Sequence, residues 1–486
     1  MKRFQIAIIG GGVIGSAIAW ELSKYKTDVI VFEAGSDVAS GTSKANSGVL
    51  HSGINSPPSS LKARFCVEGN NMFRTLANEL GFSVQWIGKY VIAKNEEEVK
   101  ELERLQHVGT QNNVPGLTIL DGSEVKKREP YVSCTAALWV PTAGIIEPYE
   151  FTIALAESAA ENMVKFSLET RVTGLKKRDC FIIKTSKGEF QADLVINAAG
   201  LQCRDIASLL EEPDFQVYPC RGEYLVLDKT CGSFVTSMIY PVPVKELGVL
   251  GVHITPTIEG NILLGPSAEF IADPDDTSTT RAMMKTLMKE ARGIIPALPD
   301  TAVINAYSGI RCKLASPESG GWADYRIEES AQVPGFFQLL GIESPGLTAA
   351  PAIAKEIVNT LTDRIRLTKK TNLKLRKTRR KRFSQMSPDE QTMLINQDER
   401  WGRIVCRCEQ VTEAEVVEAL SNPLGARTLS AVKYRCRAGM GRCQGGFCTQ
   451  HIVRIMQEQL HREVKELTLK SPSSYLFSGR VREDDL

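Results

Sequence analysis

The run Gly10-Gly11-Gly12-Val13-Ile14-Gly15 sets three glycines at G-x-G-x-x-G spacing. Gly10 permits a tight turn, Gly12 lets a pyrophosphate approach the backbone, and Gly15 allows close helix packing. Glu33 follows at the distance where a carboxylate accepts hydrogen bonds from ribose hydroxyls and disfavours a 2′-phosphate. This chemistry is dinucleotide binding, and the fingerprint is common to FAD and NAD. A second constellation lies far away: of twelve cysteines, Cys406, Cys408, Cys436, Cys443 and Cys448 fall in one short stretch. The pairs Cys406-x-Cys408 and Cys443-x4-Cys448 sit on glycine-rich loops whose amides can hydrogen-bond sulfide, which suits an iron-sulfur cluster. Zinc ribbons usually carry C-x2-C knuckles, so this spacing argues for iron without excluding zinc. Only five histidines are available for proton transfer near neutral pH.

These residues need elements to hold them. Phe4 to Ile9, Val13 to Leu22 and Asp28 to Glu33 read as strand, helix and buried parallel strand, a βαβ unit with the glycines on its turn. Tyr224–Leu227, Asn261–Leu264 and Phe336–Leu340 read as strands, and Ala349–Leu361 as a helix. The fold class expected is therefore α/β, a Rossmann-like unit with an interleaved α+β substrate part, followed by a small helical cysteine module. Thr412-Glu-Ala-Glu415 is a capping box opening a helix in that module. The expected divisions are 1–365 for the catalytic part, 366–400 for a basic linker, 401–465 for the module and 466–486 for a tail. A chain of 486 residues with 43% hydrophobic content supports about three such units.

Charge narrows the partners. Lys+Arg 59 against Asp+Glu 57 leaves a net charge of +2, which disfavours nucleic acid and offers no global field toward a membrane. The linker run Arg376 to Arg382 is basic but lacks interleaved aromatics, so a solvated connector or a stripe for an acidic partner is expected. No apolar run reaches the roughly 18 residues of a spanning helix. The apolar start is broken by Gly10 to Gly12 and no cleavage site follows, so a cytoplasmic chain is expected, with membrane association only through a partner.

Three further segments carry a resemblance. Gly41-Thr-Ser-Lys-Ala-Asn-Ser-Gly48-Val-Leu-His51-Ser-Gly53, Asp193 to Gly200 and Gly341-Ile-Glu-Ser-Pro-Gly346-Leu-Thr resemble flavin-binding signatures of the D-amino-acid oxidase and glycerol-3-phosphate dehydrogenase superfamily. Ser308-Gly-Ile-Arg311, Gly251-Val-His253 and Gly260 to Pro266 are similar to its branch of L-2-hydroxyglutarate and anaerobic glycerol-3-phosphate dehydrogenases. The resemblance implies FAD, contacted by Gly10, Gly12, Gly15, Glu33, Thr42, Ser43, Asn46, Ser47, Gly48, Val172, Ala199, Gly200, Gly341, Gly346, Leu347 and Thr348. It also implies His51 and His253 at the substrate and Arg311 on its anionic group, a guanidinium suiting phosphate or carboxylate alike. A hydrogen-bonded structural role is the alternative for each histidine. Lys313 is a secondary candidate expected at the surface; Arg221 lines the cleft or forms a structural salt bridge, and Cys220 and Cys312 pack.

The cysteine module resembles the domain named after bacterioferritin-associated ferredoxin, which implies a 2Fe-2S cluster on Cys406, Cys408, Cys443 and Cys448. Cys436 lies outside that pattern and is expected on a helix surface. A second G-x-G-x-x-G for NAD is absent. The expected activity is oxidation of sn-glycerol 3-phosphate to dihydroxyacetone phosphate, with electrons passed to a partner NAD(P)/FAD-dependent subunit. The alternatives are an L-2-hydroxy acid dehydrogenase and an electron-transfer subunit with no substrate of its own.

Overall fold

In the computed structural model, which describes residues 1–212, 214–243, 251–375 and 381–479, five strands form the parallel heart of an eight-stranded sheet. Their order is Phe336–Leu340, Gly188–Asn197, Lys2–Ile9, Val29–Phe32 and Lys165–Ser167. Both faces are covered, so Val29-Ile-Val-Phe32 needs no polar alternation. Ile6 and Ile8 face helices Val13–Ser23, Leu61–Leu80, Pro148–Glu161 and Gly346–Arg364, while Ala7 and Ile9 face the opposite cluster with Phe181 and Ile183. Helix Leu61–Leu80 starts where the Ser60 side chain accepts the Ala63 amide and stops at Gly81, whose φ of 74° is left-handed.

A nine-stranded sheet forms the second layer. Its longest ladder pairs Tyr218–Leu227 with Val303–Lys313, antiparallel from Tyr218 opposite Lys313. Next in order come Ile262–Gly265, His253–Pro256, Met238–Pro241 and Lys89–Ala93. Met238–Pro241 joins the distant Lys89–Ala93 in parallel, with Met238 opposite Lys89. The carboxyl ends of the parallel strands, at Gly10, Glu33 and Ala198 to Gly200, open on a cavity of about 1390 Å³ that the second sheet also walls. Such ends are where open α/β sheets hold ligands.

The expected linker is only partly a connector. Lys369 bridges to Tyr25, and Lys374 donates its amide to Asn162, so this stretch runs along the first unit. Pro388–Gln397 is a helix with a full capping box at Ser387, packed where Phe383 and Trp401 meet. Residues 376–380 of the basic run and 480–486 of the tail lie outside the described residues. The cysteine module has its own core, built from helices Glu413–Leu420, Leu429–Cys436 and Thr449–Leu460 with Val416, Val432, Ile452 and Met456 at its centre. Thr412 and Glu415 form the expected capping box. No helix among the described residues is long and apolar enough to cross a membrane.

Candidate active site

The dinucleotide end of the cavity is shaped by backbone. Gly10 has φ of 108°, and a Cβ there would press on the Ala198 carbonyl, so only glycine fits. Helix Val13–Ser23 begins at Gly12 with no side-chain cap from its own N-terminus. Its Val13 amide instead donates to Ser43 Oγ at 2.8 Å, which ties the second flavin-type segment to the fingerprint. Glu33 accepts from Gly11 N at 2.7 Å and Gly35 N at 2.6 Å. Burial pushes its carboxyl up, and the two amides oppose that shift. The segment 42–46 is stitched to the substrate sheet: Thr42 Oγ1 donates to Ile310 O at 2.7 Å and Tyr307 Oη to Asn46 O at 2.9 Å. At Gly309 any Cβ would strike the Ala45 carbonyl.

Of the residues expected at the cofactor, Gly10, Gly12, Glu33, Thr42, Ser43, Asn46, Ser47, Ala199, Gly200, Gly346 and Leu347 line the cavity. Gly15 lies under the turn, where a Cβ would strike Gly10 O, and Thr348 is fully buried with its hydroxyl accepting the His51 amide at 2.9 Å. Gly48 and Gly341 stand just behind the wall at positive φ. Val172 is not at the cavity: it pairs with Thr185 and packs in the core around Phe181, because its strand belongs to the sheet's antiparallel extension.

The substrate end brings His51, His253 and Arg311 to one chamber. His51 Nε2 is 3.3 Å from Ser344 Oγ. Burial and nearby Lys89 push its imidazole down to about 3, so the ring is neutral and keeps a lone pair. His253 is 3% exposed and stacks on Tyr240, ring centroids 3.6 Å apart, with Nδ1 lacking a hydrogen-bond partner among the described residues. Burial, then Lys89, His51 and Arg311, hold it well below the usual range. Arg311 spends Nη2 on Ser267 O at 3.1 Å and approaches Cys220 Sγ with Nη1, a fork with no paired carboxylate among the described residues.

One expectation changes here, and one open alternative is resolved. Lys313 is not at the surface: Glu343 pulls it inside at 3.1 Å, and Lys62 reaches the same carboxylate at 2.9 Å. Arg221 is a structural ion pair, bound to Glu269 at 2.7 Å and Asp276 at 2.6 Å and outside the cavity wall. Cys220 and Cys312 are buried as expected. Sequence reading missed Lys89, which lines the chamber; its signal was a lone lysine in the apolar strand Gly88-Lys-Tyr-Val-Ile-Ala93.

In the cysteine module the four expected ligands form two pairs. Cys408 Sγ lies 3.6 Å from Cys443 Sγ, and the Cys448 thiol hydrogen-bonds Cys406 and holds it below the usual thiol range. Two thiolates on one tetrahedral metal, with bonds of about 2.3 Å, stand roughly 3.8 Å apart. Among the described residues no three His, Cys, Asp or Glu side chains converge on a point. Two separate pairs fit a two-iron cluster, each iron taking one pair, better than one zinc. Amides of Glu409 and Gly439 point at Cys406, and those of Phe447 and Gly445 at Cys443. Cys436 is not on a surface: it is 8% exposed in the module core, its thiol donating to Val432 O at 3.2 Å.

Buried charges bind this module to the catalytic part. Arg435 Nε donates to Glu157 at 2.8 Å and Nη2 to Asp37 at 3.1 Å. Arg437 Nε meets Glu409 at 3.0 Å and Nη1 meets Tyr149 Oη at 2.9 Å, with Glu147 at 3.5 Å. Lys229 reaches Glu409 at 2.9 Å, and Arg382 pairs with Glu259. Ser430, Tyr434, Lys470 and Ser471 of the module's side line the same cavity as the fingerprint.

The comparisons agree with this geometry. Residues 5–360 match the family described as FAD dependent oxidoreductase, and 404–458 match the BFD-like [2Fe-2S] binding domain. A glycerol 3-phosphate dehydrogenase of Caloramator mitchellensis is 39% identical over 485 residues, covering 99% of each chain. A mitochondrial L-2-hydroxyglutarate dehydrogenase of Arabidopsis thaliana is 35% identical over 405 residues, 74% of this chain and 83% of that one. Among solved structures, a dithionite-reduced L-alpha-glycerophosphate oxidase from Mycoplasma pneumoniae with FAD bound aligns with a TM-score of 0.72 at 33% identity, covering 77% of this chain and 98% of that one.

Proposed function

This chain belongs to the FAD dependent oxidoreductase family and carries a BFD-like [2Fe-2S] domain, and from that premise we propose that it oxidises sn-glycerol 3-phosphate to dihydroxyacetone phosphate. The observation that carries the reading is the glycerol 3-phosphate dehydrogenase relative, matched through both the catalytic part and the cysteine module over 99% of each chain. The residues present fit the cofactor: the Gly10 turn, the free end of helix Val13–Ser23 and Glu33 form a cradle for the dinucleotide. When bound, FAD supplies the hydride acceptor for the substrate carbon.

The chain's own residues do the rest. Arg311 directs its remaining guanidinium donors into the chamber and grips the phosphate. His51 is neutral, and the reacting hydroxyl displaces Ser344 Oγ from its place 3.3 Å from Nε2 and gives that nitrogen its proton. Entry of an anionic substrate beside the two histidines raises their affinity for that proton, since a nearby negative charge favours the imidazolium. His253, pinned face to face on Tyr240, bounds the chamber and orients the substrate. The FAD contacts expected of Thr42, Ser43, Asn46, Ser47, Ala199, Gly200, Gly346 and Leu347 belong to the same reading. Cys406, Cys408, Cys443 and Cys448 would hold the 2Fe-2S cluster, which supplies a one-electron relay when bound, and Cys408 is the exposed one of the four, on the side open to a partner protein.

The test is anaerobic addition of glycerol 3-phosphate to the purified holoenzyme, followed by steady-state turnover with an artificial acceptor. Bleaching of the flavin band and turnover are expected. Turnover of L-2-hydroxyglutarate alone would make the hydroxy acid the substrate, and no bleaching with either would leave the chain an electron-transfer protein.

A further inference from the structure

Lys89 is 1% exposed, on a strand whose five residues are all buried. Burial pushes its ammonium down to about 8, so near pH 7 it is mostly charged. Among the described residues its Nζ has no paired carboxylate and no hydrogen-bond acceptor, and it lies 4.7 Å from the centroid of the Tyr240 ring. This contrasts with the other buried lysines of the chamber, Lys62 and Lys313, which share Glu343. A desolvated ammonium without a counter-charge is costly unless an anion completes it.

The neighbours are arranged for that anion. Lys89 lies opposite Met238, two residues from Tyr240 on the same face of the next strand, and the strand after that presents His253 against Tyr240. Tyr240 Oη and His253 Nδ1 are both buried without partners among the described residues. The titratable groups facing Lys89 are His51, Cys66, Tyr240 and His253, none of them an acid that would neutralise it. His253 feels both Lys89 and Arg311, so the two cations stand on the same chamber.

We propose that Lys89, with Tyr240 Oη and His253 Nδ1 beside it, is a second anion-holding site of the substrate chamber, and that with Arg311 it selects doubly charged anions such as a phosphate monoester. The inference deepens the proposed function and rests on its assignment of the chamber to substrate. With neutral histidines, Arg311 and Lys89 are two chamber cations without a paired carboxylate, and Lys62 and Lys313 share one, so the excess positive charge favours a dianion over a monoanion.

The experiment titrates inorganic phosphate, a dianion above pH 7, and acetate, a monoanion, into the FAD-loaded full chain at pH 7.5 and constant ionic strength, following the flavin spectrum. No turnover is needed, so the result stands even if glycerol 3-phosphate proves not to be the substrate. Lys89→Met is expected to weaken phosphate at least 30-fold and acetate less than 3-fold, while Lys89→Arg keeps the preference. Should Lys89→Met lose FAD, Tyr240→Phe carries the test, with a 3- to 10-fold loss for phosphate expected. Unchanged phosphate affinity in the variant read, or an equal loss for both anions, overturns the proposal. So does a shifted flavin midpoint potential with phosphate binding intact, which would assign Lys89 to the cofactor.

Discussion

Arg437→Met removes the centre of the charge network that seats the cysteine module. In the native protein Arg437, Lys229 and Arg382 face Glu147, Glu259 and Glu409, three cations against three carboxylates; without Arg437 one negative charge is left uncompensated. Glu409 is 1% exposed and Glu259 7%, so water cannot make up the loss. Removing one partner from a buried network costs about 3 to 5 kcal/mol. At about 1.4 kcal/mol per factor of ten, the docking constant falls roughly 150- to 4,000-fold. The module's own core is untouched, so iron content should stay native. The assay is the rate of proteolytic cleavage between the two parts, which tracks the undocked population when reclosing is fast. A second reading is stopped-flow reduction of the cluster after the flavin is reduced by substrate: electron transfer should slow, while turnover with an acceptor that takes electrons directly from the flavin should not. If neither cleavage nor cluster reduction changes, the network does not hold the module and the reasoning fails.

Arg311→Ala should lower kcat/KM about 30-fold to several thousand-fold, the equivalent of roughly 2 to 5 kcal/mol for a buried anion pair, with FAD unchanged and Arg311→Lys restoring only part. Loss of FAD, or near-normal kinetics, would place the anion elsewhere. Cys443→Ser should abolish iron binding and leave FAD in place, whereas Cys436→Ser should keep the iron; chemical iron analysis decides, and loss of iron in the second variant refutes the ligand set. Because burial lowers the Lys89 ammonium to about 8 and the anion needs the protonated form, kcat/KM should fall as pH rises through about 8. Lys89→Arg should move that limb upward, and a limb that stays in place excludes Lys89 as its source.

Much of this arrangement was legible in residue types. The fingerprint turn, strand Phe336–Leu340 and the capping box at Thr412 follow from local rules, glycine sterics and hydrophobic period, that need no knowledge of the rest of the chain. The four cysteines proposed as ligands stood out for the same reason: pairs two and five positions apart sit on single loops. What escaped depends on contacts between distant segments. Lys313 reads as a surface lysine until Glu343, thirty positions away, is seen to hold it inside. Cys436 lies outside the ligand spacing, and nothing local says that it is buried in the module's core. Val172 was placed by family likeness alone, and its side chain goes to the core instead. Lys89 escaped because strand pairing with Met238, some 150 residues later, creates its chamber.

The wall shared by the fingerprint and the cysteine module also implies a timetable for biogenesis. Tyr434 sits over Lys44 and against Tyr149, and Lys470 stands near Lys44, so the module closes part of the mouth through which a dinucleotide would pass. FAD should therefore load onto the catalytic part before the module seats, and afterwards its escape should be limited by how often the module lifts. A chain cut before residue 401 would exchange FAD faster than the intact protein, although none of the fingerprint residues is altered. Retention of the flavin then becomes a kinetic property of the iron-sulfur end of the chain, and a molecule that seats its module while empty would be slow to mature.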